Sequence, residues 1–483
     1  MSVICERLRE RATDTAVALA AESASAARSW TWAELGRETS GLAAEITPAV
    51  GENGVVLIEV DNGMGSVLGL LAALRTDLPI VVVSRRAPEA ESLALREALL
   101  SQGHDIALVQ ERTVRALPAV RPCRRPLPAQ SVLLATGGSA GRPKIVVDPR
   151  MRTVSLRPRG IRPSTTMNWR PGQRQLVIGS LHHAAALTYF IEAVSDGNTI
   201  VVQRTFDPAR SLELIEDWGI QWLQLTPYHM RLLAAAAQRR SVDLSSIRGL
   251  LHLSASCPEK VKRRWLDLVG DERVFEMYGA TEPVGVTLAR GDEWRARPGT
   301  VGRGFFTQLR ILDEAGRKLP PGEIGAVYMR SAAVTGAGYL DGAHRLPLTA
   351  DGFASVGDRG RLDADGYLYL VPRQVSRIQV GGETVYADEV ESVLGQHPRV
   401  LDVAVIGVPD DRLGETVVAV VAASRSEVSS RELREFARHR LARHKVPRQV
   451  LITDLVLRSG TGKLDRRMLV DVVQRNGGRD GER

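Results

Sequence analysis

Residues 133–147 read LLATGGSAGRPKIVV and place a glycine-rich loop directly after an apolar run. Glycines let backbone amides converge on an anion without interference from side chains. Thr136 and Ser139 add hydroxyl donors, and Lys144 adds a positive charge. The loop therefore indicates phosphate binding, although the proline before the lysine sets it apart from the common phosphate loop, where Gly-Lys-Ser/Thr opens a helix. A mobile surface loop is the alternative reading of this stretch alone.

Lysine is scarce in this chain: six of the 64 basic residues are lysine, and the others are arginine. Arginine thus serves wherever any positive charge suffices. A lysine inside a glycine-rich loop then suggests a need for a compact ammonium charge. Two of the lysines have this setting, Lys144 and Lys463.

The bulk composition is typical of a soluble protein with several domains. The chain has 483 residues, of which 44% are hydrophobic and 25% charged, a size that suits about two to four domains. The longest apolar runs are far too short to span a membrane and the N-terminus is charged, so we expect a cytoplasmic protein without a membrane partner. Cys5, Cys123 and Cys257 are scattered and are expected to be free thiols.

The net charge of +8 is not accompanied by any nucleic-acid-binding motif. We therefore expect no nucleic-acid partner. A mild basic excess also suits an enzyme that binds polyphosphates.

The alternation of strand-like and helix-like stretches predicts an α/β protein. Runs such as GVVLIEV, GSVLGLLAAL and LPIVVVS, and later RQLVIGS to RVFEMYG, predict two α/β subdomains with mostly parallel sheets. After about residue 297, turns rich in glycine and proline predict a small β-barrel-like region. From about residue 374 we expect a small C-terminal α+β domain, in which Ser429 or Ser430 caps the second helix.

A second polar stretch, MYGATEPVG at 277–285, follows one of the predicted strands. Tyr278 offers a flat face for a base, Thr281 a hydroxyl group, and Glu282 a carboxylate that can hold Mg²⁺ against phosphate oxygens. Taken alone, the stretch is weak evidence, because tyrosine-glycine turns are common after strands.

Two more stretches carry side chains suited to nucleotide chemistry. Asp358 follows a strand-like stretch and a glycine, where a carboxylate can accept both ribose hydroxyls, and Arg373 lies at the junction with the small domain. Lys463 lies in RSGTGKLDRR, a small-residue loop that can close over a site and stabilise developing charge. Each alone is also consistent with a simple turn or tail loop.

Together, the order and spacing of the four stretches resemble the adenylate-forming superfamily of acyl-CoA synthetases, peptide-synthetase adenylation domains and luciferases. The resemblance includes TWAELG at 31–36 and GGETVYADEVESVL at 381–394, and thus covers nearly the whole chain. The stretch HLSASCPEKVKRRWLDLVGDERVFEMYGATE is most similar to bacterial acyl-CoA ligases of the bile-acid and aromatic-acid type. The resemblance implies a large ATP- and substrate-binding domain over 1–372, a hinge over 373–376 and a mobile lid domain over 377–483.

The reaction implied by this resemblance has two halves. A carboxylate attacks the α-phosphorus of Mg·ATP and forms an acyl adenylate and pyrophosphate; the thiol of CoA or of a carrier protein then displaces AMP. Adenylation is needed because a carboxylate is a poor electrophile, whereas AMP is a good leaving group. We therefore expect an AMP-forming acid–CoA ligase for a small carboxylic acid, in secondary metabolism or in the metabolism of aromatic or hydrophobic acids.

The resemblance also implies the role of each site residue. Lys463 bridges the carboxylate and the α-phosphate, Thr281 contacts the α-phosphate, and Glu282 holds Mg²⁺. The residues implied to bind ATP are Thr136, Gly137, Gly138, Ser139, Gly141, Lys144, Tyr278, Gly279, Ala280, Asp358 and Arg373. The implied acid pocket contains His183, Ser254, Ala255, Ser256 and Gly279, whereas His182 is expected to be structural.

Several positions depart from the family pattern. The phosphate loop lacks two usual hydroxyl donors, the hinge lacks its usual charged pair, and a later lysine and a Gly-Gly-Ala-Pro strand end are replaced. The residues at these positions are Gly137 and Ala140, Val375 and Ser376, Gln379, and Ala255-Ser256-Cys257-Pro258. The hinge changes bring the domain rotation, and with it the thiol half-reaction, into question.

Two alternatives to the CoA ligase therefore stay open. One is an enzyme of the same fold that transfers the activated group to an amine, either by forming an amide or, as diazotase-type relatives do, by activating nitrite for an aryl amine. The other is a non-catalytic ATP-binding relative, which the retained Lys463 disfavours. The sequence does not determine the oligomeric state, and a homodimer is one of the arrangements left open.

Overall fold

The computed structural model describes most of the 483 residues. The described residues are 3–22, 27–51, 54–87, 89–119, 123, 126–136, 144–152, 162–331, 338–341, 345–371, 377–410, 412–423, 428–453, 457, 469 and 473. The predicted hinge at 373–376, the greater part of the glycine-rich loop, and Lys463 lie outside them.

Helices and strands alternate along most of the chain. The α-helices are α1 (Val3–Glu10), α2 (Trp32–Ile46), α3 (Met64–Arg75), α4 (Glu89–Ser101), α5 (Pro163–Thr166), α6 (Ala184–Asp196), α7 (Pro208–Asp217), α8 (Pro227–Arg239), α9 (Glu259–Val269), α10 (Gly291–Ala296), α11 (Ala387–Leu394) and α12 (Ser430–Arg438). The strands are β1 (Val17–Glu22), β2 (Ala27–Thr31), β3 (Val55–Val60), β4 (Ile80–Ser84), β5 (Ile106–Gln110), β6 (Thr113–Leu117), β7 (Val132–Thr136), β8 (Lys144–Asp148), β9 (Arg174–Val177), β10 (Thr199–Val202), β11 (Trp222–Leu225), β12 (Gly249–His252), β13 (Val274–Gly279), β14 (Val286–Arg290), β15 (Arg303–Phe305), β16 (Thr307–Leu312), β17 (Gly325–Ser331), β18 (Gly338–Tyr339), β19 (Arg359–Leu362), β20 (Leu368–Val371), β21 (Arg377–Val380), β22 (Glu383–Tyr386), β23 (Asp402–Asp410), β24 (Gly414–Ala422) and β25 (Gln449–Thr453).

Two large sheets form the body of the protein. A nine-stranded sheet has the order β15-β14-β13-β12-β11-β9-β10-β1-β2, and a seven-stranded sheet has the order β18-β8-β7-β4-β3-β5-β6. The strands from β1 to β13 in the first sheet pair in parallel, as do β5, β3, β4 and β7 in the second. The carboxyl ends of the parallel strands therefore meet at one edge of each sheet, where α/β proteins usually bind their ligands.

A shared hydrophobic core joins the two sheets. Helices α1, α2, α3 and α6 contribute to this core together with one face of each sheet. Along β3, Val56 and Ile58 point into the shared core, whereas Leu57 points into a second core beneath α4. Strands buried on both faces need continuous apolar runs, which explains why GVVLIEV and LPIVVVS are almost entirely apolar.

Local sequence signals place the helix ends. Thr31 caps α2, and its side chain and that of Glu34 form a reciprocal capping box. Ser429 caps α12 by accepting the amide of Glu432 at 3.2 Å, which confirms one of the two predicted caps. Helix α12 ends at Arg438, several residues before the end of the helix-like stretch.

Two smaller sheets complete the fold. The region predicted as barrel-like contains a four-stranded antiparallel sheet with the order β16-β17-β19-β20. The C-terminal part contains a five-stranded sheet of β21 to β25, packed against α11 and α12. The predicted α/β class, with a large N-terminal and a small C-terminal domain, is confirmed, while the boundaries at 372 and 377 stay a prediction.

An ion pair connects the two parts of the chain. Arg231 on α8 lies 3.0 Å from the buried carboxylate of Asp402, at the start of β23. The pair is one point of contact between the large and the small domain.

The described residues include no helix long and apolar enough to cross a membrane. Cys5, Cys123 and Cys257 are free thiols, as the sequence predicts.

A buried arginine fastens the segment after β8 to helix α3. The guanidinium of Arg152 donates hydrogen bonds to the carbonyl oxygen of Leu78, at 2.9 Å, and to those of Leu74 and Thr76. These carbonyls belong to the end of α3 and the turn after it. Burial lowers the pKa of Arg152 to about 10, so the side chain stays charged at neutral pH.

We expect Arg152→Ala to destabilise the large domain by about 3 kcal/mol or more, because each buried carbonyl left without a donor costs about 1–3 kcal/mol. The measurement is the midpoint of thermal unfolding. Arg317→Ala is the control, since Arg317 is 81% exposed and forms an ion pair with Asp313 four residues before it; exposed pairs contribute little. Equal midpoints for the two variants would contradict the role given to Arg152.

Candidate active site

The glycine-rich loop joins the two strands of a hairpin at the edge of the seven-stranded sheet. Strand β7 lies parallel to β4 and pairs antiparallel with β8, so that Thr136 is directly opposite Lys144. The loop residues between them, including the predicted phosphate ligands Gly137, Gly138, Ser139 and Gly141, lie outside the described residues. The two ends of the loop are thus held at the carboxyl edge of the parallel strands, where the sequence predicts a phosphate site.

Tyr339 connects this hairpin to Glu282. Strand β18 pairs antiparallel with β8, with Tyr339 opposite Val146. The ammonium of Lys144 lies 5.7 Å from the centre of the Tyr339 ring, within cation–π range. The Tyr339 hydroxyl donates a hydrogen bond of 2.7 Å to Glu282 Oε1. Burial and the contact with Glu282 raise the pKa of Tyr339 above its usual value, so this hydroxyl remains a donor.

A second tyrosine connects strand β13 to the four-stranded sheet. The hydroxyl of Tyr278 donates a hydrogen bond of 2.7 Å to Asp358 Oδ2. Asp358 lies directly before β19 rather than directly after a strand, because residues 351–357 form turns and bends around isolated bridges. The structure therefore brings together four predicted site residues, Lys144, Glu282, Tyr278 and Asp358.

The turn after β13 is closely packed. Gly279 lies at the exposed end of the strand, and a Cβ there would lie only 3.0 Å from Val286 Cγ1. Gly285 has a φ of +150°, and its Cβ would lie 2.4 Å from Thr307 Cγ2, so this position requires glycine. Ala280, Thr281 and Glu282, which lie between these glycines, are half-buried.

Glu282 is suited to a magnesium ion that is bound mainly by phosphate. Tyr339 occupies its Oε1, and Oε2 has no protein hydrogen-bond partner within the described part of the chain. The same part contains no cluster of three or more acidic, histidine or cysteine side chains that could form a metal site without a substrate. Mg²⁺ commonly takes one or two carboxylates and completes its shell with phosphate oxygens and water, so a single open carboxylate oxygen fits it.

The two histidines lie at the carboxyl edge of the nine-stranded sheet, just before α6. His183 occupies the N-cap position of α6, and its ring centre lies 3.7 Å from that of His182. His182 Nδ1 and Ser180 Oγ share a hydrogen bond of 2.7 Å. Burial lowers the pKa of His182 to about 4, so this imidazole is neutral at pH 7 and is held in place, as expected of a structural residue.

The predicted pocket residues Ser254, Ala255 and Ser256 form an exposed segment after β12. Ser254 has a φ of +80°, a left-handed conformation that is uncommon for serine and frequent at functional sites. The place of this segment in the acid pocket stays a prediction.

Arg373 and Lys463 lie outside the described residues, and their roles also stay predictions. Gln379, which replaces a usual lysine of the family, is on β21 and donates to Thr384 Oγ1 at 3.2 Å. Sequence reasoning missed Tyr339. A glycine-tyrosine pair has no distinctive pattern, and only the pairing of β18 with β8 reveals the position of this tyrosine.

The chain is similar to proteins of known activity. Residues 109–340 match the family described as AMP-binding enzyme, and residues 389–463 match the AMP-binding enzyme C-terminal domain. A feruloyl-CoA synthase of Amycolatopsis sp is 34% identical over 342 residues, which cover 69% of this chain and 68% of that protein. An indoleacetate–CoA ligase of Aromatoleum aromaticum is 32% identical over 280 residues, 56% of this chain and 54% of that protein.

The fold is shared with a solved structure of the o-succinylbenzoate CoA synthetase from Bacillus subtilis in complex with its acyl-adenylate intermediate. The TM-score is 0.74 at 21% identity, and the alignment covers 97% of this chain and 98% of that one. The matches confirm the predicted superfamily and an enzyme of the AMP-forming ligase type. From its motifs, its fold and these matches, we conclude that the chain belongs to the family of AMP-binding enzymes, the adenylate-forming superfamily.

Proposed function

We propose that this protein activates a small aromatic or hydrophobic carboxylic acid with ATP, as the acyl adenylate, and transfers the acyl group to CoA. The observation that carries the proposal is the convergence of Lys144, Glu282, Tyr278 and Asp358, contributed by three sheets, around the carboxyl edge of the parallel strands. A cation, a metal-binding carboxylate, an aromatic ring and a second carboxylate are the groups that a Mg·nucleotide requires.

Each site residue would bind a different part of the nucleotide. Lys144 and the glycine-rich loop would hold the β- and γ-phosphates, because Lys144 lies opposite Thr136 at the point where the loop begins and ends. Asp358 would accept the ribose hydroxyls, in an orientation set by Tyr278, whose ring would lie beside the adenine. Thr281 would contact the α-phosphate, and Arg373 would lie near the ribose.

Glu282 would hold Mg²⁺ through its open Oε2. When bound, Mg²⁺ would neutralise charge on the phosphate oxygens as pyrophosphate leaves. Lys463, brought in by the small domain, would bridge the attacking carboxylate and the α-phosphate, where negative charge accumulates during adenylation.

The acid would bind between the turn after β13 and the start of α6. Ala184, Leu253 and Val286 are partly buried and pack against the core that includes Met277, which makes this flank apolar. Gly279 leaves space at the strand end, and His183 would close the opposite wall. The names of two relatives refer to aromatic acids, ferulate and indoleacetate. The ring of such an acid would pack well against the apolar flank described above.

Transfer to CoA would require the small domain, residues 377–483, to turn about the hinge at 373–376. The segment at 379–391 would then line the path of the thiol. The Arg231–Asp402 ion pair would have to open in such a rotation. Val375 and Ser376 at the hinge and Gln379 beyond it keep an amine acceptor as the second candidate.

We expect Lys463→Ala to abolish pyrophosphate release that depends on the acid, with a loss of at least about a hundredfold, since removing one group that stabilises transition-state charge costs about 10²–10³ in rate. A coupled pyrophosphate assay with a panel of aromatic acids measures this. Lys318→Ala is the matched control, because Lys318 is exposed in the turn between β16 and β17 and should leave the rate unchanged. Release at the wild-type rate by the Lys463 variant would show that the adenylation assignment is wrong.

We expect an acyl-CoA thioester when the protein is incubated with ATP, Mg²⁺, an aromatic acid and CoA, as identified by mass spectrometry. Parallel reactions replace CoA with an aryl amine, and the acid with nitrite in the presence of an aryl amine. An amide or a diazo product in these reactions, with no thioester from any acid, would overturn the choice of CoA as the acceptor and favour the amine-transferring alternative.

A further inference from the structure

Tyr339 has no role in the proposed function, yet it contacts two residues that do, Lys144 and Glu282. Strand β18 contains only Gly338 and Tyr339 and lies at the end of the seven-stranded sheet, beside β8. From this position the tyrosine ring faces the ammonium of Lys144, and its hydroxyl reaches Glu282 beyond β13 of the other large sheet. The side chain therefore spans the gap between the two sheets.

The hydroxyl restricts the orientation of the Glu282 carboxylate. A hydrogen bond of 2.7 Å to Oε1 holds a side chain that otherwise has three rotatable bonds, and a hydrogen bond to a charged group is stronger than a neutral one. With Oε1 held, Oε2 is the oxygen presented to a cation. Glu282 is only half-buried, so packing restricts its rotamer less than it would in the core, and the hydrogen bond matters more.

The ring restricts Lys144 in the same way. Lysine has a flexible four-carbon stem, and an aromatic face at 5.7 Å attracts its ammonium by about 0.5–1 kcal/mol at an exposed site. Lys144 is the residue opposite Thr136, at the end of the glycine-rich loop. One side chain thus limits the freedom of the proposed phosphate cation and of the proposed metal carboxylate together.

We propose that Tyr339 is a positioning residue for adenylation, whose hydroxyl orients Glu282 toward Mg²⁺ and whose ring orients Lys144 toward the phosphates. The inference rests on the proposed roles of Glu282 and Lys144. It goes beyond those roles because it makes Tyr339 the residue that couples Mg²⁺ binding to phosphate binding. Tyr339 itself contacts neither the acid nor the nucleotide in the proposed mode of binding.

The test separates the hydroxyl from the ring. Tyr339→Phe removes the hydroxyl alone and should weaken the binding of Mg·ATP about ten- to hundredfold, the range that a hydrogen bond to a charged group contributes. The Mg²⁺ concentration that gives half the maximal rate of pyrophosphate release should rise in parallel. Binding of ATP in excess chelator, without Mg²⁺, should stay within about twofold of wild type, because the ring still faces Lys144.

Tyr339→Leu removes the ring as well. It should further weaken the Mg²⁺-free binding of ATP, by about two- to fivefold, because Lys144 loses its aromatic face. Isothermal titration calorimetry measures both affinities without requiring turnover.

Tyr367→Phe is the matched control. The Tyr367 hydroxyl donates to Glu293 Oε1 at 2.8 Å, and the guanidinium of Arg297 lies 4.3 Å from its ring centre. Tyr367 thus also donates to a glutamate and faces a cation, here a guanidinium, but it has no proposed part in the reaction. This variant should bind Mg·ATP as the wild type does.

Wild-type Mg²⁺ dependence in Tyr339→Phe would overturn the inference. Equal losses of ATP affinity with and without Mg²⁺ would also overturn it, because they would indicate a general disturbance of the site. If the wild-type protein binds Mg·ATP but releases no pyrophosphate with any acid, the proposed function fails, while the calorimetry still decides the role of Tyr339.

Discussion

Two hydrogen bonds from tyrosine to carboxylate unite three sheets at one place. Tyr339 connects the seven-stranded sheet to Glu282, and Tyr278 on the nine-stranded sheet connects to Asp358 at the four-stranded sheet. The two large sheets also share a hydrophobic core, but apolar contacts are non-directional and do not by themselves orient polar groups. Hydrogen bonds are directional, so these two orient the carboxylates of Glu282 and Asp358.

A buried ion pair fastens strand β13, which contains Tyr278, to helix α9. Glu276, two residues earlier on β13, forms a buried ion pair with Lys262 of α9, and Lys262 also lies 4.7 Å from the ring centre of Trp294. Burial raises the pKa of Glu276, and the ammonium of Lys262 opposes that shift. Because removing one partner would leave a buried charge unpaired, the pair fastens α9 to β13, the strand that leads into the turn containing Thr281 and Glu282.

The departures from the family pattern fall in two different places. Gly137 and Ala140 lack the hydroxyl donors that the family has in this loop, so ATP binding, if the loop binds phosphate as proposed, would depend more on backbone amides and on Lys144. Val375 and Ser376 lie at the predicted hinge, so they would affect the proposed transfer step and not adenylation. Adenylation and transfer can therefore differ in how far they follow the family, and the acceptor is the point on which the CoA ligase and the amine-transferring enzyme diverge.

The sequence by itself determined the α/β class, the alternation of strands and helices, and the family, and it narrowed the cap of α12 to Ser429 or Ser430, because periodicity, capping and motif spacing are local properties of the chain. It also selected Lys144, Tyr278, Glu282 and Asp358, since each lies in a recognisable stretch. Only the tertiary structure decided that Tyr339 joins Lys144 to Glu282 and that Tyr278 holds Asp358. Such contacts join residues 57 and 80 positions apart, and they depend on how separate sheets pack, which no short stretch of sequence encodes.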